Sequence, residues 1–155
     1  MICKNLPYYT RGKVVKGFGR GSKQLGVPTA NFPQEVVNQL PEELKTGIYY
    51  GWAQVDSSPV FKMVLSVGWN PFYKNTHKSM ETHILHTFEN DFYGSELKII
   101  MVGYIRPEKD FTSLDELIET IKEDIRTADN VLESNASLKL YKDDPFFLEE
   151  ESLNR

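Results

Sequence analysis

The sequence predicts a mainly β fold, an antiparallel barrel or sandwich accompanied by a single C-terminal α-helix. Three observations predict it. Four segments in the middle of the chain are rich in aromatic and β-branched residues or alternate in polarity, as half-buried strands do. Short turn signals separate several of them, and the one long run with three- and four-residue apolar spacing comes after them all. Helices therefore do not alternate with strands, which disfavours a doubly wound parallel sheet and most nucleotide-binding folds built on one. No repeat, low-complexity tract or linker interrupts residues 1–155, which are read as one domain.

Taken in order, Lys13 to Val15 and Thr29 to Phe32 are the first candidate strands. Ile48 to Val55 follows, then Lys62 to Val67, Met80 to His86 and the long apolar run Leu97 to Tyr104. Asp56-Ser57-Ser58-Pro59 and Tyr93-Gly94-Ser95 have the composition of tight turns, while Asn70-Pro71 and Arg106-Pro107 mark longer loops. The helix opens with Ser113-Leu114-Asp115-Glu116, the form of a capping box. Leu114, Leu117, Ile118, Ile121, Ile125, Ala128 and Leu132 then make one apolar stripe that must pack against the strands. Trp52 and Trp69 are read as core or rim packing.

Composition narrows the function. With 155 residues the chain is long enough for a core without staples, and its single cysteine, Cys3, cannot form an internal disulfide. That usage suits a reducing compartment, and no apolar run approaches the roughly twenty residues of a membrane span, so a cytoplasmic location with no membrane partner is expected. A net charge of −4 argues against a nucleic-acid-binding face. The charge is uneven, however: Lys4, Arg11, Lys13, Lys16, Arg20 and Lys23 precede the first acid, Glu35. That asymmetry fits a local anion site or a solvated basic strand and loop.

Four segments carry candidate chemistry. Lys16 to Gly26 holds four glycines and three cations, and such a loop can turn successive amide hydrogens toward a phosphate. It matches neither the P-loop nor the dinucleotide fingerprint, and a merely flexible loop explains the glycines as well. In Pro28-Thr29-Ala30-Asn31-Phe32-Pro33 the prolines favour extended backbone, so Thr29 and Asn31 share one face of a strand. Their neutral oxygens form a partial shell for a hard cation whose remaining ligands come from a nucleotide's phosphates; the alternative is two polar residues on a solvated face. Glu81 is the sole carboxylate between Asp56 and Glu89 and suits either a general base or an edge-strand charge. Its neighbours His83 and His86 would face opposite ways on a regular strand, which does not favour zinc. Arg106-Pro107-Glu108-Lys109-Asp110-Phe111 sets cations beside an aromatic and leads into the helix, so it serves either a planar ligand or the turn alone.

Taken together, Gly17-Phe18-Gly19-Arg20-Gly21-Ser22-Lys23, Pro28 to Pro33, Thr46-Gly47-Ile48-Tyr49-Tyr50-Gly51, Met80-Glu81-Thr82-His83 and Arg106-Pro107-Glu108-Lys109 resemble the eukaryotic-type riboflavin kinases. The likeness runs from about Leu6 to about Leu132, and Phe146-Phe147 resembles the family's end. It implies a six-stranded antiparallel Greek-key barrel with a C-terminal helix packed outside, and transfer of the γ-phosphate of ATP to the ribityl 5′-hydroxyl of riboflavin, giving FMN and ADP. It also implies roles. Thr29 and Asn31 match the residues holding magnesium and nucleotide phosphates, with zinc or manganese as other metals. Gly17 and Lys23 match the flap over ATP, and Ile84, His86 and Tyr93 match further ATP contacts. Glu81 matches the catalytic base, and Arg106, Lys109 and Phe111 match positions around the flavin. A monomer is expected. A kinase for another small polyol and a non-catalytic flavin- or nucleotide-binding module are the rival readings.

Overall fold

A computed structural model describes residues 6–15, 29–69, 78–86 and 92–149. Six antiparallel strands form one sheet: β1 (Tyr8–Lys13), β2 (Thr29–Asn31), β3 (Gly47–Val55), β4 (Phe61–Trp69), β5 (Lys78–Ile84) and β6 (Glu96–Arg106). Their spatial order is β1-β6-β3-β4-β5-β2. The meander β3-β4-β5 followed by a return of β6 to the side of β3 is the Greek-key arrangement. The two outer strands meet again through a bridge between Val15 and Asn31, where Val15 N–H donates to the Asn31 carbonyl at 2.8 Å. The expected barrel is thus a sheet curled until its edges touch, with the helix outside.

Side-chain alternation explains the two cores. Tyr49, Ala53 and Val55 of β3, Met63, Leu65 and Val67 of β4, and Leu97, Ile99 and Met101 of β6 point inside the curl, where all are buried. Trp52, Ile100 and Val102 point outward and join Leu132 and Phe147 in a second buried cluster. The outer cluster exists because helix α2 (Leu114–Ser134) crosses the outer face and the chain beyond it drapes over β3 and β6. The Trp52 indole N–H donates to the Leu138 carbonyl at 3.0 Å, which fixes that drape and satisfies a buried donor. A short helix α3 (Ala136–Lys139), capped by the Asn135 side chain, and two 3₁₀ turns, Leu140–Asp143 and Pro145–Leu148, carry Phe147 into place. Burying a side chain such as Leu132 or Phe147 stabilises by about 1.5–3 kcal/mol.

Strand β6 bends because it carries two more residues than β3 can pair. Its register shifts opposite Tyr50/Gly51 and again opposite Ile48/Tyr49, leaving Val102 and Ile105 as bulges. The first shift brings the strands so close that a Cβ added at Gly51 would lie 1.9 Å from the Ile100 carbonyl oxygen, so only glycine fits. The second has a functional result. Tyr104 and Arg106 are two residues apart and on a regular strand would share a face, yet Tyr104 packs inward against Tyr49 while Arg106 points outward.

Several elements differ from the sequence reading. The first strand starts five residues before Lys13, because Tyr8 and Thr10 pair with β6, and only Lys13 and the bridge at Val15 lie in the predicted place. A one-turn helix α1 (Gln34–Val37) follows β2, too short for apolar periodicity to mark it. The capping box is one residue longer than predicted. The Ser113 hydroxyl accepts from Glu116 N–H, but Glu116 reaches back to Thr112 N–H at 3.3 Å. Trp52 is buried and Trp69 half-exposed, as core and rim. The Asn70-Pro71 loop lies outside the described residues.

Candidate active site

A single row of paired residues crosses the outer face of the sheet. The pairings Asn31–Glu81, Glu81–Ser66, Ser66–Ile48 and Ile48–Arg106 run from β2 to β6, one residue per strand. All five line one cleft of about 640 Å³. Adjacent strands lie about 4.8 Å apart, so Glu81 is one step from Asn31 and three steps, roughly 14 Å along the curled sheet, from Arg106. Strand alternation selects this row: Ala30 and Met80 on either side of it turn into the barrel core.

The opposite wall comes from Leu117, Ile121 and Asp124 of α2 and from the segment Glu108–Phe111 before it. This explains why the apolar stripe is buried only at its C-terminal end. Ala128 and Leu132 pack fully on the sheet, while Leu117 and Ile121 stay half-exposed because they face the cleft. The wall is tied to the floor by Arg106, whose Nε and Nη2 donate to the two Asp124 carboxylate oxygens at 3.0 and 2.8 Å. Its Nη1 donates to the Pro107 carbonyl. Such a fork leaves two of the five guanidinium N–H groups uncommitted by these bonds, on a residue that lines the cleft. The Lys109 ammonium lies 5.4 Å from the centre of the Phe111 ring, a cation–π arrangement. Glu108 presses against β4, where a Cβ on Gly68 would lie 2.3 Å from its carboxylate oxygen.

Of the residues singled out from sequence, Asn31, Glu81, Arg106, Lys109 and Phe111 stand around this cleft. Thr29 lies one row along β2, half-buried and paired with His83, and does not line it. Gly17 and Lys23 lie outside the described residues; the segment holding them joins the sheet at Val15 and Thr29, beside Asn31. The Ile84 side chain is fully buried in the barrel core, so any ligand it meets would meet its main chain. His86 is exposed just past the end of β5 and stacks on Phe61, with ring centres 3.9 Å apart and planes 12° from parallel. Tyr93 is 53% exposed in the turn before β6. His83, read from the sequence only as a poor zinc ligand, and Asp124, which has no reading there, also line the cleft. Asp124 had a signal: it is an acid set within the apolar stripe, a position where charge needs a partner.

The donor types suit a hard cation. Thr29 and Asn31 offer a hydroxyl and an amide oxygen, and among the described residues no group of three or more His, Cys, Asp or Glu could hold a metal. Oxygen donors without charge fit magnesium better than zinc, provided that a nucleotide supplies the rest of the shell. No helix among the described residues is long and apolar enough to cross a membrane.

A family model described as flavokinase, riboflavin kinase, matches residues 4–132. The chain is similar to the riboflavin kinase of Homo sapiens, at 62% identity over 144 residues that cover 93% of this chain and 92% of that one. It is also similar to the bifunctional riboflavin kinase/FMN phosphatase of Arabidopsis thaliana, at 48% identity over 141 residues, 90% of this chain and 37% of that one. Among solved structures, the riboflavin kinase from Trypanosoma brucei aligns with a TM-score of 0.74 at 32% identity, covering 94% of this chain and 92% of its own.

Proposed function

The chain belongs to the riboflavin kinase family, and from that premise we propose that it transfers the γ-phosphate of ATP to the ribityl 5′-hydroxyl of riboflavin, giving FMN and ADP. The observation that carries the assignment of roles is the row Asn31–Glu81–Ser66–Ile48–Arg106 in one cleft. On this reading the Glu81 carboxylate stands between a phosphate-and-metal end at β2 and a ring-binding end at β6.

At the ring end, Arg106 offers the N–H groups left over from its Asp124 fork, and Lys109, Phe111, Leu117 and Ile121 supply apolar and cationic surface for a planar heterocycle. The ribityl chain then runs along the row toward Glu81. Glu81 takes the proton of the 5′-hydroxyl as that oxygen forms a bond to the γ-phosphorus and the bond to ADP breaks, so the proton ends on Glu81 and the electron pair on ADP. Asn31 and Thr29 hold magnesium, which supplies charge neutralisation of the phosphates when bound with the nucleotide. Gly17 and Lys23 belong to the flap over ATP, with Ile84, His86 and Tyr93 at its nucleoside end. We further propose that the chain acts as a cytosolic monomer.

The test is incubation of the purified chain with ATP, magnesium and a panel of acceptors, with products separated by chromatography. FMN from riboflavin, and no phosphorylation of other polyols at comparable rates, is the expected result. Riboflavin bound but never phosphorylated would instead favour a binding module, and a faster polyol would favour a different kinase.

A further inference from the structure

His83 sits on the same outward face of β5 as Glu81, two residues on, and lines the cleft while only 5% exposed. Its Nε2 lies 3.5 Å from Glu81 Oε1. Among the described residues the Glu81 side chain makes no other ion pair or hydrogen bond. On the far side of the ring, Nδ1 is buried with no hydrogen-bond partner among the described residues. The residue is flanked by a paired strand on each side, with Cα partners Thr29 on β2 and Val64 on β4.

These facts discriminate between the two neutral tautomers. A proton on Nδ1 would bury an N–H with nothing to accept it and would face the Nε2 lone pair to a carboxylate oxygen, two unfavourable terms at once. A proton on Nε2 removes both, because the N–H then points at Oε1 and the buried Nδ1 carries only a lone pair. The separation of 3.5 Å is long for a hydrogen bond, as catalytic contacts commonly are before substrate binds.

We propose that His83 is a positioning residue for the reaction. By donating Nε2–H to Oε1 it fixes the rotamer of Glu81, so that Oε2 is the oxygen presented to the substrate hydroxyl. This is the base-and-orienter arrangement common to sites in which a third group aims the base. The inference rests on the reading of Glu81 as the base, and it makes no use of proton transfer at His83 itself.

Four variants separate the two ideas. His83→Gln keeps an amide N–H near the place of Nε2, whereas His83→Asn keeps polarity near Nδ1 but falls short of Glu81. H83N is expected to lower kcat about tenfold or more, with KM for ATP and riboflavin within about twofold, and H83Q to recover to within about threefold of wild type. In the Glu81→Gln background, H83N is expected to cost nothing further, because no base remains to be aimed. H83N at wild-type turnover, H83Q no better than H83N, or a loss at His83 that multiplies fully onto that of E81Q would each overturn the positioning role while leaving the base intact. Near-normal turnover of E81Q alone would remove the base, and the pairing with it. Thermal unfolding of each variant guards against loss of fold, and if H83N is unstable, His83→Leu replaces it with the same expected outcomes.

Discussion

Removing the Asp124 carboxylate should both loosen the fold and weaken flavin binding, and the structure sets the size of each effect. Asp124 is a buried charge whose side chain is 5% exposed, and both its oxygens are taken by Arg106. Breaking a buried pair from one side typically costs about 3–5 kcal/mol, because the surviving charge is left unpaired. Here the survivor keeps 21% of its side chain in solvent and a bond to the Pro107 carbonyl, which places Asp124→Ala near the low end, about 3 kcal/mol. For a domain of this length each kcal/mol moves the unfolding midpoint about 2–4 °C, so a fall of about 6–12 °C is expected by circular dichroism at pH 7. The freed guanidinium no longer aims its remaining N–H groups along the row, and KM for riboflavin should rise about tenfold while KM for ATP holds. A companion variant separates the effects. Arg106→Met with Asp124→Leu replaces the pair by apolar contact and should return stability to within about 1 kcal/mol of wild type without restoring flavin affinity. A D124A midpoint within about 2 °C of wild type, or an unchanged KM for riboflavin, would refute the claim that this pair ties the cleft's wall to its floor.

Other expectations follow from the same geometry. Leu132→Ala opens a cavity between α2 and the outer sheet face at a fully buried position and should cost about 2–5 kcal/mol in denaturant titration, with little change in KM. Asn31→Ala should raise the magnesium concentration needed for half-maximal turnover by about tenfold or more while leaving riboflavin binding by fluorescence intact; an unshifted magnesium requirement would remove Asn31 from the metal's shell. Glu133 offers a test of pH dependence. The ammonium of Lys62, 2.8 Å away, and that of Lys139 hold its carboxyl down to about 2, below its usual 4.5. A carboxyl with a depressed folded-state pKa stabilises above its unfolded value, and the contribution fades as pH falls from about 4.5 toward 2. Glu133→Gln should therefore be slightly less stable than wild type at pH 7, match it near pH 2, and approach it at 1 M salt, since the group is fully exposed.

How far the sequence could be read depended on whether a signal was local. Strand identity in β3, β4 and β6 was legible because aromatic and β-branched residues alternate there, and α2 was legible from its cap and stripe. Strand β1 was misplaced because Tyr8 to Gly12 carries little apolar alternation and owes its state to pairing with β6. Period two alone puts Thr29 and Asn31 on one strand face, and Ala30 and Phe32 indeed turn into the core. Other features depend on contacts distant in sequence. Nothing local says that β6 carries bulges at Val102 and Ile105, yet the second bulge is what turns Arg106 outward beside Ile48. The partner of Arg106 lies 18 residues away on a helix, and the pairing of Asn31 with Glu81 joins strands 50 positions apart. The half-exposed Leu117 and Ile121 show a further limit: periodicity marks which residues leave solvent, but not whether they meet the sheet or a ligand.

The proposal that Glu81, one strand in from Asn31, is the base is checked by single-turnover formation of FMN from riboflavin, ATP and magnesium with wild type and E81Q. A variant that binds ATP and riboflavin normally but forms FMN about a hundredfold or more slowly is the predicted result. Wild-type rates of FMN formation in E81Q would contradict the account.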